Sequence, residues 1–364
     1  MNSRGLIPGS RCLILLACLA MCRNVDAVPA VQPFTDSAPP PRLSELNLFK
    51  DPPGQVPNDG VVPYEMNSPG FSDYAAKHRF VWLPPGTAAK YDDRQVLEFP
   101  VGTMLIKTFG FLKDLRKPGQ DERLLETRLL VRKPSGWGAY TYLWNDEEDD
   151  AYLWQAGKLL PLSWIHLDGS SRSQNYVVPN VNTCKQCHQK AGSFEPIGPK
   201  ARQLNGFLDY GSGKENQLDH WSKIGYLTGH PGADAAPRAP VWDDPSTGTL
   251  DERARAYLDI NCAHCHSPGG SAYTSGLDLD YYQTSPFRIG IQKHPVAAGR
   301  AASIGRVDIE PGSPETSILL YRLETTDPGT RMPVAGRTTK HEEGTALIRE
   351  WILQMPLAYE PAEK

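Results

Sequence analysis

The sequence has little net charge, no long apolar run beyond its first residues, and few cysteines. Its lysines and arginines number 38 against 42 aspartates and glutamates, so the formal net charge is −4. A chain without a basic excess is not expected to bind nucleic acid. After the N-terminus, no apolar stretch approaches the roughly 18 residues of a membrane-spanning helix. We therefore expect a soluble mature chain without a transmembrane segment and without a nucleic-acid partner.

The first 27 residues have the pattern of a secretory signal peptide. Arg4 and Arg11 lead into an apolar run, Cys12 to Met21, that is too short to span a bilayer. Val25 and Ala27 are the small residues expected beside a cleavage site. This pattern predicts a periplasmic or secreted protein that begins after Ala27.

A lipoprotein anchored through Cys18 or Cys22 is the alternative. Met21 is an unfavourable residue before a lipidated cysteine, and lipidation at Cys18 would leave a very short apolar segment. We therefore favour cleavage after Ala27 over lipid anchoring.

Every cysteine that remains after such cleavage lies in a CxxC pair followed directly by histidine, in "CKQCH" at 184–188 and "CAHCH" at 262–266. This is the attachment signature of c-type haem. Two thiols three residues apart can each form a thioether to one vinyl group of a porphyrin, and the next residue can bring its imidazole to the iron. We expect two covalently bound haem c groups, attached at Cys184, Cys187, Cys262 and Cys265, with His188 and His266 as iron ligands.

Other cysteine chemistries fit this pattern less well. A zinc site would be an unusual use of two pairs so far apart, each followed by histidine. A CxxC disulfide would close a very small loop and restrain little of the unfolded chain, and a redox CxxC is expected near a βαβ pattern that is not evident here. The spacer His264 is expected to point to solvent.

Amphipathic helices are predicted on both sides of the second motif. Thr249 and Glu252 have the spacing of a capping box before a helix that runs into Cys262. Thr339 and Glu342 repeat that spacing before a last helix, and a third helix is expected to begin at Ser313 with Pro314. These helices favour a cytochrome c-like domain.

Met332 is the predicted sixth ligand of the second haem. It lies in a loop rich in glycine and proline, between Arg331 and Pro333, rather than on an apolar stripe. A thioether suits haem iron, and methionine opposite histidine raises the reduction potential.

The first haem has no such ligand nearby in sequence. No methionine occurs between residues 105 and 331. His166, His220, His230 or an open position that holds water remain as alternatives, and the sequence does not choose among them.

Residues 79–155 have strand patterns separated by turn-forming residues, which predicts an antiparallel β-sandwich. The acidic run at 145–150 lacks the spacing of a calcium loop and is expected to form a solvated hairpin turn. The prolines that precede this region predict a flexible leader.

The chain resembles a family of secreted bacterial dihaem c-type cytochromes. The motifs that carry the resemblance are "NSPGFSDYAAKHRFVWLPPG" (67–86), "EFPVGTMLIKTF" (98–109), "NYVVPNVNTCKQCH" (175–188), "PIGPKARQLN" (196–205) and "AYLDINCAHCH" (256–266). The resemblance covers nearly the whole mature chain. It implies two covalent haems at the motifs already described, with Met332 in the Met-Pro element of cytochrome c domains.

The predicted fold is multidomain α+β, with an N-terminal antiparallel β-sandwich-like domain followed by two haem c segments, the last of them an all-α cytochrome c-like domain. The predicted parts are a signal peptide (1–27), a proline-rich leader (28–60), a β-rich domain (61–172), the first haem segment (173–240) and the cytochrome c-like domain with the second haem (247–357).

The favoured function is electron transfer between a donor dehydrogenase and an acceptor cytochrome or oxidase. The alternative is a peroxidase-like enzyme with an open first haem, for which Glu195 and Gln189 are the nearest candidates for acid–base catalysis. A weaker alternative is a binding module that uses Trp82, Trp144 and Trp154, although tryptophans at alternating strand positions are more often core residues. Because no obvious acid–base pair lies near Cys184, we favour an electron-transfer protein over an enzyme.

Overall fold

The computed structural model describes Met1 and residues 29–359. The predicted signal peptide, apart from Met1, lies outside the described residues. Helices and antiparallel strands both occur, so the predicted α+β class is confirmed. The longest strands precede residue 180, and the last strand of the described chain ends at Thr228.

The strands up to residue 180 build the β-rich part. They are β1 (Phe49–Asp51), β2 (Val56–Pro57), β3 (Val61–Pro63), β4 (Ala76–Trp82), β5 (Ala89–Lys90), β6 (Met104–Leu112), β7 (Glu122–Lys133), β8 (Gly136–Trp144), β9 (Ala151–Leu153), β10 (Lys158–Ile165) and β11 (Ser171–Val178). Six of them form one antiparallel sheet in the order β3-β4-β6-β7-β8-β9. β10 and β11 form a separate antiparallel hairpin.

In the described residues that follow, there are five short strands and seven α-helices, separated by loops and short 3-10 turns. The strands are β12 (Gln189–Lys190), β13 (Ser193–Phe194), β14 (Phe207–Asp209), β15 (Lys214–Asn216) and β16 (Leu227–Thr228). The helices are α1 (Val181–His188), α2 (Ala201–Leu204), α3 (Gln217–Lys223), α4 (Leu250–Leu258), α5 (Pro286–Ile289), α6 (Ile318–Glu324) and α7 (Glu342–Gln354). The helix predicted from Ser313 is a 3-10 turn, Pro314–Thr316, and the α-helix begins at Ile318.

The strand predictions for residues 79–155 are confirmed. The predicted sandwich is not, because the layer that packs against the six-stranded sheet is not a second full sheet. One face of the six-stranded sheet buries Phe80, Ile106 and Leu129. The other face is covered at one end by α2 and α3 and at the other end by the β10–β11 hairpin. The region is therefore an antiparallel sheet faced by helices and a hairpin. Trp82 and Trp144 are buried in its core.

Charged residues separate the two apolar clusters on this second face. Arg79, Lys107 and Arg128 are cross-strand neighbours on β4, β6 and β7. Lys107 lies within electrostatic range of Cys187, and Arg128 within that of Cys184. The charged middle of the sheet therefore faces the first CxxCH motif.

Residues 29–60, predicted as a flexible leader, are packed on the sheet. Leu46 is 1% exposed within the core cluster of the first face. The hydroxyl of Ser44 donates a 2.6 Å hydrogen bond to the carboxylate of Asp150, at the end of the acidic hairpin turn. The prediction of a free linker is therefore wrong for these residues, because their apolar side chains complete the core.

Of the three helices predicted around the second motif, α4 begins as predicted, whereas α6 and α7 do not. Thr249 and Glu252 form the predicted capping box of α4. α7 begins at Glu342, and Thr339 makes no capping contact with it. The N–H and the hydroxyl of Thr339 instead donate to Asp73, at 2.9 and 3.0 Å. The predicted capping box at this helix is wrong because a contact distant in sequence uses both groups.

Residues 67–74, which we call the connecting segment, join the β-rich part to the two segments that follow the first CxxCH motif and contain the second. The Ser68 hydroxyl donates to the carbonyl oxygen of Pro240 at 2.8 Å. The N–H of Phe71 donates to the side-chain oxygen of Asn261 at 2.7 Å, one residue before Cys262. The connecting segment therefore contacts the backbone that presents the second motif.

Asp73 and Tyr74 extend this connection to the last helix. Asp73 is 2% exposed, and its carboxylate accepts hydrogen bonds from the N–H and hydroxyl groups of Thr338 and Thr339. The Tyr74 hydroxyl donates to Glu343 at 3.0 Å. Buried charge-assisted bonds of this kind are stronger than neutral ones.

We expect Asp73→Asn to lower the free energy of unfolding by about 1–3 kcal/mol, because one oxygen replaces two acceptors and leaves buried donors unpaired. Urea unfolding of the complete protein measures this change. Asp121→Asn is the matched control, since Asp121 has a similar positive φ of 50° but is exposed. Equal effects of the two substitutions would show that the Asp73 contacts contribute nothing.

Candidate functional site

The first motif lies on α1, which begins directly after the hairpin. The side chain of Asn180 accepts a hydrogen bond from the N–H of Thr183 at 2.9 Å and caps the helix. Cys184 and Cys187 are one helical turn apart, so their side chains lie on the same side of α1. Both cysteines are unpaired by disulfides and half-buried. They are therefore available for covalent attachment.

His188 is held in the orientation of a metal ligand. Its Nδ1 lies 2.9 Å from the backbone carbonyl oxygen of Glu195, and the ring stacks on Phe194 with centroids 5.2 Å apart. A carbonyl oxygen only accepts hydrogen bonds, so Nδ1 carries the proton and Nε2 has a free lone pair. Burial lowers the pKa of His188 to about 3, which keeps the imidazole neutral. A neutral imidazole oriented through its other nitrogen is typical of metal ligation.

The second motif lies where α4 continues into a π-helical turn, Asp259–Ala263. Cys262 belongs to this turn and packs against the apolar cluster formed by α4, α6 and α7. Burial raises the pKa of Cys262 to about 12, so the group is a thiol rather than a thiolate. The turn therefore directs Cys262 towards the core of the helical part.

His266 is also oriented through its Nδ1, but its partner is a hydroxyl rather than a backbone carbonyl. Its Nδ1 lies 2.9 Å from Oγ of Ser275, whose hydroxyl donates to the carbonyl oxygen of Ala272 at 2.7 Å. Since that hydroxyl proton is engaged, Oγ accepts from Nδ1–H and leaves Nε2 of His266 free. Burial lowers the pKa of His266. Both histidines thus have the tautomer that an iron ligand requires.

The two motifs contact each other. The thiol of Cys265 lies 3.4 Å from the carbonyl oxygen of Gln186, and the Ser271 hydroxyl donates to the same oxygen at 2.8 Å. The ligand atoms of Cys187, His264 and Cys265 all lie within 4.8 Å of one another. We call this contact region the motif junction.

His264 is not directed to solvent as predicted. Its Nδ1 is buried without a hydrogen-bond partner among the described residues, and the ring lies in the motif junction. Sequence spacing identified His264 as a spacer, but the contact with Cys187 depends on how the two segments pack. No local pattern signals such a contact.

A cavity of about 640 Å³ lies beside His188, and residues near both CxxCH motifs line it. Its walls include Cys187, His188, Glu195 and His264. Met66 also lines this cavity, although it lies far from the motif in sequence. Ligation of the first haem by a methionine is not tested by this shared lining.

The three histidines considered for the first haem have other partners. His220 contacts Glu215 at 3.1 Å, and His230 contacts Asp219 at 3.1 Å. His166 is buried beside Trp164, 3.6 Å from the carboxylate of Glu342 on α7. None of the three belongs to the described lining of the cavity beside His188.

The loop that carries Met332 is fixed on both sides. The N–H of Met332 donates to the carbonyl oxygen of Arg322 at 2.8 Å, and its own carbonyl oxygen accepts from Arg337 at 2.9 Å. The charge of Arg322 contributes to lowering the pKa of His266, after burial. Arg322 therefore lies within electrostatic range of His266, and ligation by the sulfur of Met332 stays a prediction.

A buried ion pair joins the segment after the first CxxCH motif to the turn that carries the second. Arg202 on α2 and Asp259 in the π-helical turn are 0% and 4% exposed. Two guanidinium nitrogens of Arg202 donate to the carboxylate of Asp259, the shortest at 2.7 Å. Lys200 adds a second cation 3.8 Å away. Sequence analysis missed this pair, because neither residue stands in a recognisable motif.

The residues fit a covalently attached haem at each motif. Each motif provides two unpaired thiols and a neutral imidazole with a free Nε2. The junction residues Cys187, His264 and Cys265 could also hold a metal ion directly. That use would require both cysteines to remain unalkylated, whereas haem attachment would use their sulfur atoms.

Comparison with protein-family models gives no match for the chain. Comparison with curated proteins and with solved structures gives no match either. Among the helices of the described residues, none combines the length and the apolar character needed to cross a membrane.

Proposed function

We propose that the chain is a dihaem c-type cytochrome that transfers electrons in the periplasm or outside the cell. The hydrogen bond between Nδ1 of His188 and the carbonyl oxygen of Glu195 carries the proposal, because it leaves Nε2 for iron. The residues that would hold the two haem groups are Cys184, Cys187 and His188 at the first site, and Cys262, Cys265, His266 and Met332 at the second.

A haem at each site would supply one-electron chemistry at iron. The chain would contribute neutral imidazoles and a backbone fixed by hydrogen bonds. The proposed partners are a donor dehydrogenase and an acceptor cytochrome or oxidase. The proposed location depends on the predicted signal peptide.

We expect two haem groups per chain when the complete precursor is produced in cells that have a cytochrome c maturation system. The mass of the mature protein should exceed that of the polypeptide by two haem adducts, because each CxxCH motif binds one porphyrin through two thioethers. Intact-mass spectrometry measures this difference.

Matched double variants assign each haem to its motif. Cys184→Ala with Cys187→Ala should retain one haem, and Cys262→Ala with Cys265→Ala should retain the other. A mature protein that carries zinc and no haem adduct would overturn the proposed function.

The second candidate function is a peroxidase-like enzyme with an open position at the first haem. Glu195 favours it, since this residue lines the cavity beside His188 and a carboxyl there could transfer a proton. Spectra of the oxidised protein separate the two functions. One high-spin haem would support the enzyme, and two low-spin haems would support electron transfer.

A further inference from the structure

The motif junction brings together equivalent positions of the two motifs. Gln186 and His264 are both the second spacer of a CxxCH sequence, and Cys187 and Cys265 are both its second cysteine. The carbonyl oxygen of Gln186 contacts Cys265, and His264 groups with Cys187 and Cys265. Each motif therefore presents the same part of its sequence to the other.

The backbone that follows each motif fixes this arrangement. The N–H of Ala191 donates to the carbonyl oxygen of Gly269 at 2.8 Å, and Lys190 forms a β-bridge with Gly270. A Cβ atom on Gly270 would lie 2.3 Å from the carbonyl oxygen of Cys265, so only glycine allows this close approach. The junction is thus held by backbone contacts as well as by side chains.

Haem attachment gives the junction a specific consequence. A thioether joins the cysteine sulfur to the first carbon of a former vinyl group, and that carbon is bonded directly to the porphyrin ring. The sulfur atom therefore marks an edge of the ring system. Because the sulfur atoms of Cys187 and Cys265 lie within 4.8 Å of each other, the edges attached to them must also be close.

We propose that Cys187 and Cys265 would bring the attached edges of two covalently bound haems close to each other, so that an electron could pass between the haems inside one chain. This inference rests on the proposed function. The exchange balances within the pair, since one iron loses the electron that the other gains, and no proton is transferred. The chain would therefore need no partner protein for this step.

Electron paramagnetic resonance of the fully oxidised protein tests the inference. Two ferric centres in contact should broaden each other's signals and accelerate each other's spin relaxation. The sum of the spectra of the two cysteine double variants, each with one haem, provides the reference without interaction. We expect the spectrum of the parent protein to differ from that sum, and the signal of either single haem to saturate at lower microwave power.

Gly270→Ala provides a local perturbation, because its Cβ must displace the backbone of Cys265. This variant should keep two haems and show a weaker magnetic interaction. Gly157→Ala is the control, since a Cβ atom there would lie 3.4 Å from its nearest neighbour, which is an ordinary van der Waals contact. If Gly270→Ala does not fold, the comparison between the parent spectrum and the sum of the single-haem spectra still tests the inference.

The possible outcomes separate this inference from the proposed function. Two haems by mass with a spectrum equal to the sum of the single-haem spectra would overturn the inference and leave the proposed function intact. Absence of haem, with zinc bound at Cys187, His264 and Cys265, would overturn both. Two haems with interacting signals would support both.

Discussion

Replacing Asp259 with asparagine should lower the free energy of unfolding by about 3 kcal/mol, because the change breaks a buried ion pair. Arg202, which is fully buried, would lose its bidentate carboxylate but would keep the carboxylate of Asp280, 3.3 Å away. Denaturant unfolding of the complete protein at neutral pH measures the loss. A loss below about 1 kcal/mol would place this pair among ordinary surface ion pairs.

Two controls separate the buried pair from general effects of charge removal. Arg202→Met with Asp259→Leu should recover most of the stability, since an apolar replacement of a whole buried pair is often neutral. Asp146→Asn should change stability little, because the ion pair of Asp146 with Arg123 is exposed. A double variant as unstable as Asp259→Asn would contradict the electrostatic explanation.

The contribution of Asp259 should also depend on pH. Burial alone would raise the pKa of Asp259, but Lys200 and Arg202 outweigh burial and hold it below its usual value. A lowered pKa in the folded state gives stability that is complete above the pKa of the unfolded chain, about 3.9. That stability is lost as the pH falls through the folded pKa. The difference between the parent and Asp259→Asn should therefore shrink in acid.

Met332→Ala should lower one of the two midpoint potentials and abolish the charge-transfer band between sulfur and iron. A thioether stabilises ferrous relative to ferric iron, so its loss favours the oxidised state. For a one-electron couple, a tenfold change in the equilibrium corresponds to about 59 mV. Redox titration followed by absorption measures both effects, and the potential of the other haem should remain nearly unchanged.

Further variants test whether the lowered potential results from the loss of iron ligation by Met332. Met332→His should lower the same potential while the iron stays low-spin. Met355→Leu should change neither potential, because Met355 is buried in the apolar cluster of the helical part. If both potentials and the charge-transfer band survive in Met332→Ala, the sixth ligand is another residue, and Met332 is an ordinary loop methionine.

The strands and the two motifs were predictable because their signals are local. Alternating apolar residues marked the strands between residues 79 and 155, and the capping box at Thr249 and Glu252 marked the start of α4. The start of α7 was not predictable in this way. Thr339 has the capping-box spacing before Glu342, but its N–H and hydroxyl donate to Asp73, more than 260 residues earlier in the chain.

The candidate site shows the same division between local and long-range information. The spacing of cysteine and histidine identified both motifs, but nothing in the sequence placed Cys187 beside Cys265 or brought Met66 to the cavity that His188 lines. Arg202 and Asp259 were equally hidden, since a buried ion pair has no sequence pattern of its own. Such contacts are set by the packing of segments that are distant along the chain.

The attachments of the connecting segment make the protein one mechanical unit. Two modules joined by a flexible linker normally change their separation and orientation through thermal motion. Here, an eight-residue stretch is bonded to Pro240, Asn261 and the start of α7 at once. A hinge motion would have to break these bonds together. The separation of the two CxxCH motifs is therefore set when the chain folds, not sampled afterwards.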